Sequence, residues 1–306
     1  MPATMLVARR TNHLRSSGVI TLPGPLVSAS WLNDRLGTTG LVICDVRWYL
    51  DGRSGEAAYD AGHLPDAVWV NLDAELAGSS SVGPGRHPLP SPERFAEAMM
   101  AKGIGDDTVV VAYDDAGGSI ASRLWWMLNS IGHQVAVLDG GISAWTGELS
   151  IDLPSQPDLV DFTVRPWPLD GVVDVVAVDS IRRRSDRIVL DARSAERIAG
   201  EPNLVDARLG HIPGAVSAPW AGNLDPSTGL FLRPEQLWDR FTALGVKPDR
   251  PAVCQCGSGI TACHNLLALR IAQFDGAQLY PGSWSDWSAD PGRPAERSDF
   301  PEESRS

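Results

Sequence analysis

Apolar residues in this chain come in short unbroken runs, and these alternate with stretches of helical spacing. LVICDV (41–46), VVVAYD (109–114) and VAVLD (135–139) are rich in β-branched residues and bounded by turn formers. Runs of this kind suit strands buried on both faces of a parallel sheet. Between them, Ser91-Pro92 predicts a helix start with proline at the first helical position, and Gly103 predicts its stop. RIVLDAR, PAVCQC and AQLYPG carry the same strand pattern in the second half.

The two halves are copies. SPERFAEAMMAKGIGDDTVVVAYDD (91–115) matches RPEQLWDRFTALGVKPDRPAVCQCG (233–257), with Pro92 over Pro234 and Gly103 over Gly245. CDVRW at 44 matches LDARS at 190, HLPDAVWVNLD at 63 matches HIPGAVSAPW at 211, and VLDGG at 137 matches QLYPG at 278. The matches keep their order at nearly constant offset, the signature of a tandem repeat. The fold class is therefore α/β: two tandem domains, each a small parallel sheet flanked by helices. The expected boundaries are a flexible tail over 1–22, domain 1 over 23–146 and a linker over 147–175. Domain 2 then takes 176–290, with a second flexible tail over 291–306.

Composition narrows the class. The chain has 306 residues, 43% of them apolar, which is enough for two ordinary cores. A net charge of −12 argues against nucleic acid or an anionic membrane surface as partner. No apolar run reaches the ~20 residues that cross a bilayer. Four cysteines, Cys44, Cys254, Cys256 and Cys263, do not make a disulfide scaffold. The first 18 residues carry Arg9, Arg10 and Arg15 but no long apolar core of a secretory signal. They read as a tail, with a transit-like leader as the alternative, and the protein reads as cytoplasmic.

The chemistry concentrates in CQCGSGITACHNLLAL (254–269). A strand enters, a helix leaves, and CGSG joins them at the sheet edge where open α/β folds bind ligands. Backbone N–H groups of such a turn form an anion cradle, and a cysteine at its mouth is pushed toward thiolate. Cys256 sits there, and Cys263 falls inside the helix as a small buried group. The spacing C-x-C-x6-C-H lacks the C-x2–4-C step of zinc sites, and no C-x-x-C redox pair exists. Phosphatase chemistry would need an arginine closing the loop, and GITACH has none.

The loop CGSGITAC, the doubled GH-[LI]-P-x-A elements and the tandem units resemble the two-domain rhodanese family of sulfurtransferases, over about residues 25–290. The resemblance implies that Cys256 carries sulfur as a persulfide, cradled by Gly257, Gly259, Ile260 and Thr261. It also implies a silent first domain, where Asp114 or Asp115 stands in place of Cys256. Thiosulfate-using members carry Arg and Lys after the cysteine; Gly257 and Ser258 here are similar to the 3-mercaptopyruvate-using members. Arg197 matches the family arginine that grips the donor carboxylate. A second family arginine falls at Leu204 or Val205, so Arg208 is the candidate substitute. The family's Ser-His-Asp relay maps onto Ser258, His63 and Asp51.

Bland readings stand beside these. Arg197 could be a surface residue, Ser258 a helix cap, and His63 with His211 a repeated structural turn. Tyr59 and Asp60 read as structural. The expected partners are a small-molecule sulfur donor and a thiol acceptor such as thioredoxin or a small dithiol. No metal or organic cofactor is implied. Thiosulfate as donor, and a persulfide carrier without turnover, remain the alternatives.

Overall fold

The computed structural model describes residues 20–81, 83–154 and 159–297. Most of both expected tails (1–19 and 298–306), and residues 155–158 of the linker, lie outside the described residues. The first half runs β1 (Leu26–Val27), α1 (Ala29–Asn33), β2 (Leu41–Asp45), α2 (Gly55–Ala61), β3 (Val68–Trp69) and α3 (Leu72–Glu75). It continues with α4 (Pro92–Ala101), β4 (Val109–Tyr113), α5 (Ala121–Ser130) and β5 (Val135–Leu138). The second half runs α6 (Val175–Ile181), β6 (Ile188–Asp191), α7 (Ala195–Ala199), β7 (Val216–Ser217) and α8 (Pro234–Ala243). It ends with β8 (Ala252–Gln255), α9 (Ala262–Ile271), β9 (Gln278–Leu279) and α10 (Ser283–Trp287).

Two parallel sheets result, in the orders β1-β5-β4-β2-β3 and β7-β6-β8-β9. Their central strands are buried along their length, as the unbroken apolar runs require. The helix at Ser91-Pro92 forms as its signals demand: Ser91 Oγ accepts from Arg94 N–H, and Gly103 takes φ +74° just beyond the end. The segment after 159 is not loose. Phe162 packs edge-on against Phe95 and stacks on His133, while Trp167 Nε1 donates to Pro90 O at 2.8 Å. Val172 then lies parallel to Leu279, lengthening the second sheet.

One buried core runs through both halves, and α5 packs on α9 across the junction. The duplication is exact at the key turn, since Ile142 N–H donates to Asp114 O as Trp284 N–H donates to Cys256 O, each at 2.9 Å. Asp114 is therefore the counterpart of Cys256. Its carboxylate is fully buried and accepts from the N–H groups of Ala116, Gly118, Ile120 and Ala121 at 2.8–2.9 Å. The first-domain loop is an anion cradle already filled by its own side chain. Asp114→Ala should leave these four donors without an acceptor, each worth roughly 1–3 kcal/mol when buried and unmet. A loss of at least about 3 kcal/mol is expected in urea unfolding, and a loss under about 1 kcal/mol would show that the cradle does not need its anion.

Candidate active site

Cys256 follows β8 directly, and its loop turns into α9. Gly259 takes φ +80°, and a Cβ there would lie 2.5 Å from Pro281 O, so only glycine lets the turn seat against the next segment. Its N–H donates to Cys256 Sγ at 3.2 Å. Cys256 N–H donates to Ser283 Oγ, and the carbonyls of Cys256 and Gly257 accept from Trp284 and Ser285 at the start of α10. The N–H groups of Ser258, Ile260 and Ala262 find no acceptor among the described residues. Where the first-domain loop encloses a carboxylate, this loop is open. Thr261 holds the last position before α9, and Ile260 is buried beneath the turn.

Ser258 Oγ lies 2.8 Å from His87 Nδ1, and His87 Nε2 lies 3.1 Å from Asp73 Oδ1. Trp48 steadies both partners, donating from Nε1 to Asp73 Oδ2 at 2.8 Å and meeting the His87 ring edge-on. Burial pushes the His87 pKa down to about 4; the charges of Arg123 and Arg86 act the same way, and Asp73 opposes them. The ring is thus neutral near pH 7. With acceptor-only Asp73 on Nε2, its proton sits there and Nδ1 accepts from the Ser258 hydroxyl.

Arg197 also reaches the loop. It grips Asp206 with two bonds, Nε at 2.9 Å and one terminal nitrogen at 2.6 Å, which fixes its plane. Burial works against the Asp206 charge, but Arg197, Arg193 and Arg86 together hold its pKa below the ordinary carboxylate range. A Cβ placed on Gly257 would lie 2.9 Å from Arg197 and 3.0 Å from Arg86, so two guanidinium groups face that α-carbon.

Three expected residues lie elsewhere. His63 does not reach Ser258: Nδ1 meets Tyr59 O at 2.9 Å, Nε2 meets Asp152 O at 3.1 Å, and the ring stacks on Tyr59. It anchors a turn, as His211 does through Ile198 O. Asp51 is exposed and paired with Arg53 at 2.8 Å. Arg208 is committed to the carbonyls of Arg293 and Asp290, away from the loop. Sequence reasoning missed His87, Asp73 and Arg86. The signal available was that Arg86-His87 has no counterpart in the second copy, which reads Thr228-Gly229 at the offset of the cysteine loop.

The other thiols are packing groups. Cys254 is fully buried and its pKa is raised by burial; that of Cys263 is pushed up to about 12 by the same cause. His264 turns away from them, with Nδ1 against Asn223 and Nε2 against Gly117 O.

Both halves match the Rhodanese-like domain, over residues 28–148 and 177–290. A Pseudomonas aeruginosa protein provisionally named 3-mercaptopyruvate sulfurtransferase is 39% identical over 290 residues, covering 90% of this chain and 98% of that one. A Mycobacterium tuberculosis protein provisionally named thiosulfate sulfurtransferase SseB is also 39% identical, covering 83% of this chain and 90% of its own length. The crystal structure of SseA, a 3-mercaptopyruvate sulfotransferase from Escherichia coli, superposes with a TM-score of 0.75 at 32% identity. That match covers 86% of this chain and 99% of SseA. A filled cradle in one half and an open, cysteine-bearing one in the other thus sit on a shared fold, and the chain belongs to the rhodanese family as a tandem-domain sulfurtransferase.

Proposed function

We propose that the protein moves a sulfane sulfur from 3-mercaptopyruvate, through a persulfide on Cys256, to a thiol acceptor. The observation that carries this reading is the contrast between the two cradles. In Asp114 the carboxyl oxygens lie two bonds beyond Cβ and meet four N–H groups, which oppose the upward push of burial on its pKa. Cys256 ends one bond beyond Cβ and meets one N–H group, at Gly259. A second sulfur restores the missing reach, so the open donors fit a persulfide anion better than the resting thiol.

The thiolate of Cys256 attacks the donor sulfur. The new S–S bond forms as the donor's C–S bond breaks, and the electron pair leaves on carbon as the enolate of pyruvate. The proton from the donor's SH group ends on that carbon, which gives pyruvate and leaves Cys256 as the persulfide anion. Ser258, held by neutral His87 and Asp73, supplies a hydroxyl at the loop that can pass this proton. An acceptor thiolate then takes the outer sulfur and frees Cys256; a small dithiol or thioredoxin fits, as does cyanide in vitro. Two half-reactions sharing one nucleophile predict ping-pong kinetics. The four cysteines are free and buried, which supports a reducing compartment, and we place the protein in the cytoplasm.

Thiosulfate is the second reading, favoured by the name of the mycobacterial relative. A dianion gains most from cations within the loop itself, and Gly257 and Ser258 supply none. Mercaptopyruvate carries one carboxylate set back from its sulfur, which suits guanidinium groups beside the loop rather than in it.

Donor without acceptor should add about 32 mass units, one sulfur atom by simple atomic mass, to the Cys256 peptide, and Cys256→Ser should lose adduct and turnover together. The kcat/KM for 3-mercaptopyruvate should exceed that for thiosulfate by about tenfold or more. Sulfur on Cys254 or Cys263 would overturn the loop assignment, and a thiosulfate preference would overturn the donor alone.

NMR titration of the imidazoles should place the His87 midpoint near 4. A midpoint in the ordinary range near 6.5 would remove the neutral-base role. His87→Ala should lower kcat/KM by about a hundredfold.

Gly85 tests how the His87 loop is delivered. It takes φ +77°, and a Cβ there would lie 2.5 Å from Gly282 O at the foot of α10. Gly85→Ala should push the loop off the second domain and cost about tenfold or more in kcat/KM, while the thermal midpoint moves only a few degrees. Unchanged kinetics would show that the close approach is not needed.

A further inference from the structure

Arg86 shapes the charge around His87 and Asp206, and its surroundings are those of a binding residue. The first domain sends it across to the second: its N–H donates to Ser285 Oγ at 3.0 Å, and one terminal nitrogen donates to Val205 O at 3.1 Å. The other terminal nitrogen is the one that lies 3.0 Å from a Cβ built on Gly257, beside Arg197. Arg86 forms no ion pair among the described residues, whereas Arg197 and Arg193 both share Asp206. Burial lowers its pKa, and the neighbouring charges of Arg197 and Arg193 add to the strain that Asp206 and Cys256 offset. A half-buried cation crowded by other cations is unfavourable unless an anion completes the site.

Position gives that anion a chemistry. Two guanidinium groups converge on Gly257, the residue directly after the nucleophile. Resemblance alone assigns the second donor-gripping arginine to Leu204 or Val205, in the second domain, where no cation exists. Val205 contributes its carbonyl instead, and that carbonyl holds Arg86.

We propose that Arg86 is the second carboxylate-binding residue of the donor site, acting with Arg197, so that the donor is gripped from both domains at once. This rests on the donor reading above only for the identity of the carboxylate's owner.

Two experiments separate this inference from that reading. The first needs no turnover: Cys256 is alkylated with iodoacetate and with iodoacetamide, which differ in the carboxylate alone, and the rates are compared by mass spectrometry. Arg86→Ala should lower the iodoacetate-to-iodoacetamide ratio by about tenfold, and Arg86→Lys should restore part of it. The second is steady-state kinetics, in which Arg86→Ala should raise KM for 3-mercaptopyruvate by about tenfold or more with kcat within about threefold. With mercaptoacetone, which lacks the carboxylate, the same variant should match the parent. An unchanged alkylation ratio overturns the proposal. Equal losses with both donors and both alkylating reagents also overturn it, because they mark a structural role. A lowered ratio in a protein that does not turn over 3-mercaptopyruvate would leave Arg86 as an anion-binding residue and overturn the donor.

Discussion

A guanidinium with no solvent contact and, among the described residues, no carboxylate partner holds this site together. Arg123, on α5 of the first domain, spreads its donors over the carbonyls of Leu76, His87, Pro88 and Gly259. Burying such a charge costs several kcal/mol, and carbonyl dipoles offset only part of that. What it secures is position. One rigid group fixes the first-domain loop that carries Arg86 and His87 to the second-domain turn that carries Cys256. Burial lowers the Arg123 pKa, while the nearby Cys263 and Cys256 oppose the shift, so any negative charge that develops on Cys256 faces a fixed cation from the other domain.

Duplication explains why this arrangement was available. The same strand, turn and helix occur twice, and α5 packs against α9. The first copy spends its cradle on Asp114 and becomes a structural element. Its neighbouring Tyr113 is likewise closed off, donating to Asp45 Oδ2 at 2.7 Å and accepting from Leu64 N–H at 3.0 Å. Gln255 takes the Tyr113 position in the second copy and is buried with neither amide atom partnered. At this one position the second copy is less fully satisfied than the first, where the Tyr113 hydroxyl has both a donor and an acceptor.

The alternating runs and caps were legible because they express local rules. Val109–Tyr113 is buried on both faces and reads so; Ser91-Pro92 caps a helix and reads so. The place of Cys256 in its turn and the nearness of Arg197 to it were legible too, since each belongs to a motif contiguous in sequence. His63 misled for a physical reason. Its GH-L-P step recurs at His211, and a feature kept in both copies serves what both copies share, the turn that ties Ser150 to His63 and Glu296 to His211. His87 and Arg86 occur in one copy only. Their contacts span more than a hundred residues, from Arg86 to Val205 and from His87 to Ser258, and no periodicity reports a contact of that kind.

The absence of a side chain at Gly257 leaves room for two guanidinium groups beside the loop. A Cβ there would come within 2.9 Å of Arg197 and 3.0 Å of Arg86, so a larger residue has to displace the ends of both. The atoms met are the ends of two long side chains, so a Cβ at 257 disturbs the present seating of both guanidinium groups. The pair beside Gly257 requires both domains, because Arg86 and Arg197 come from different ones. The first domain thus forms one wall of the site, bringing Arg86, His87 and Arg123 to the loop that bears Cys256.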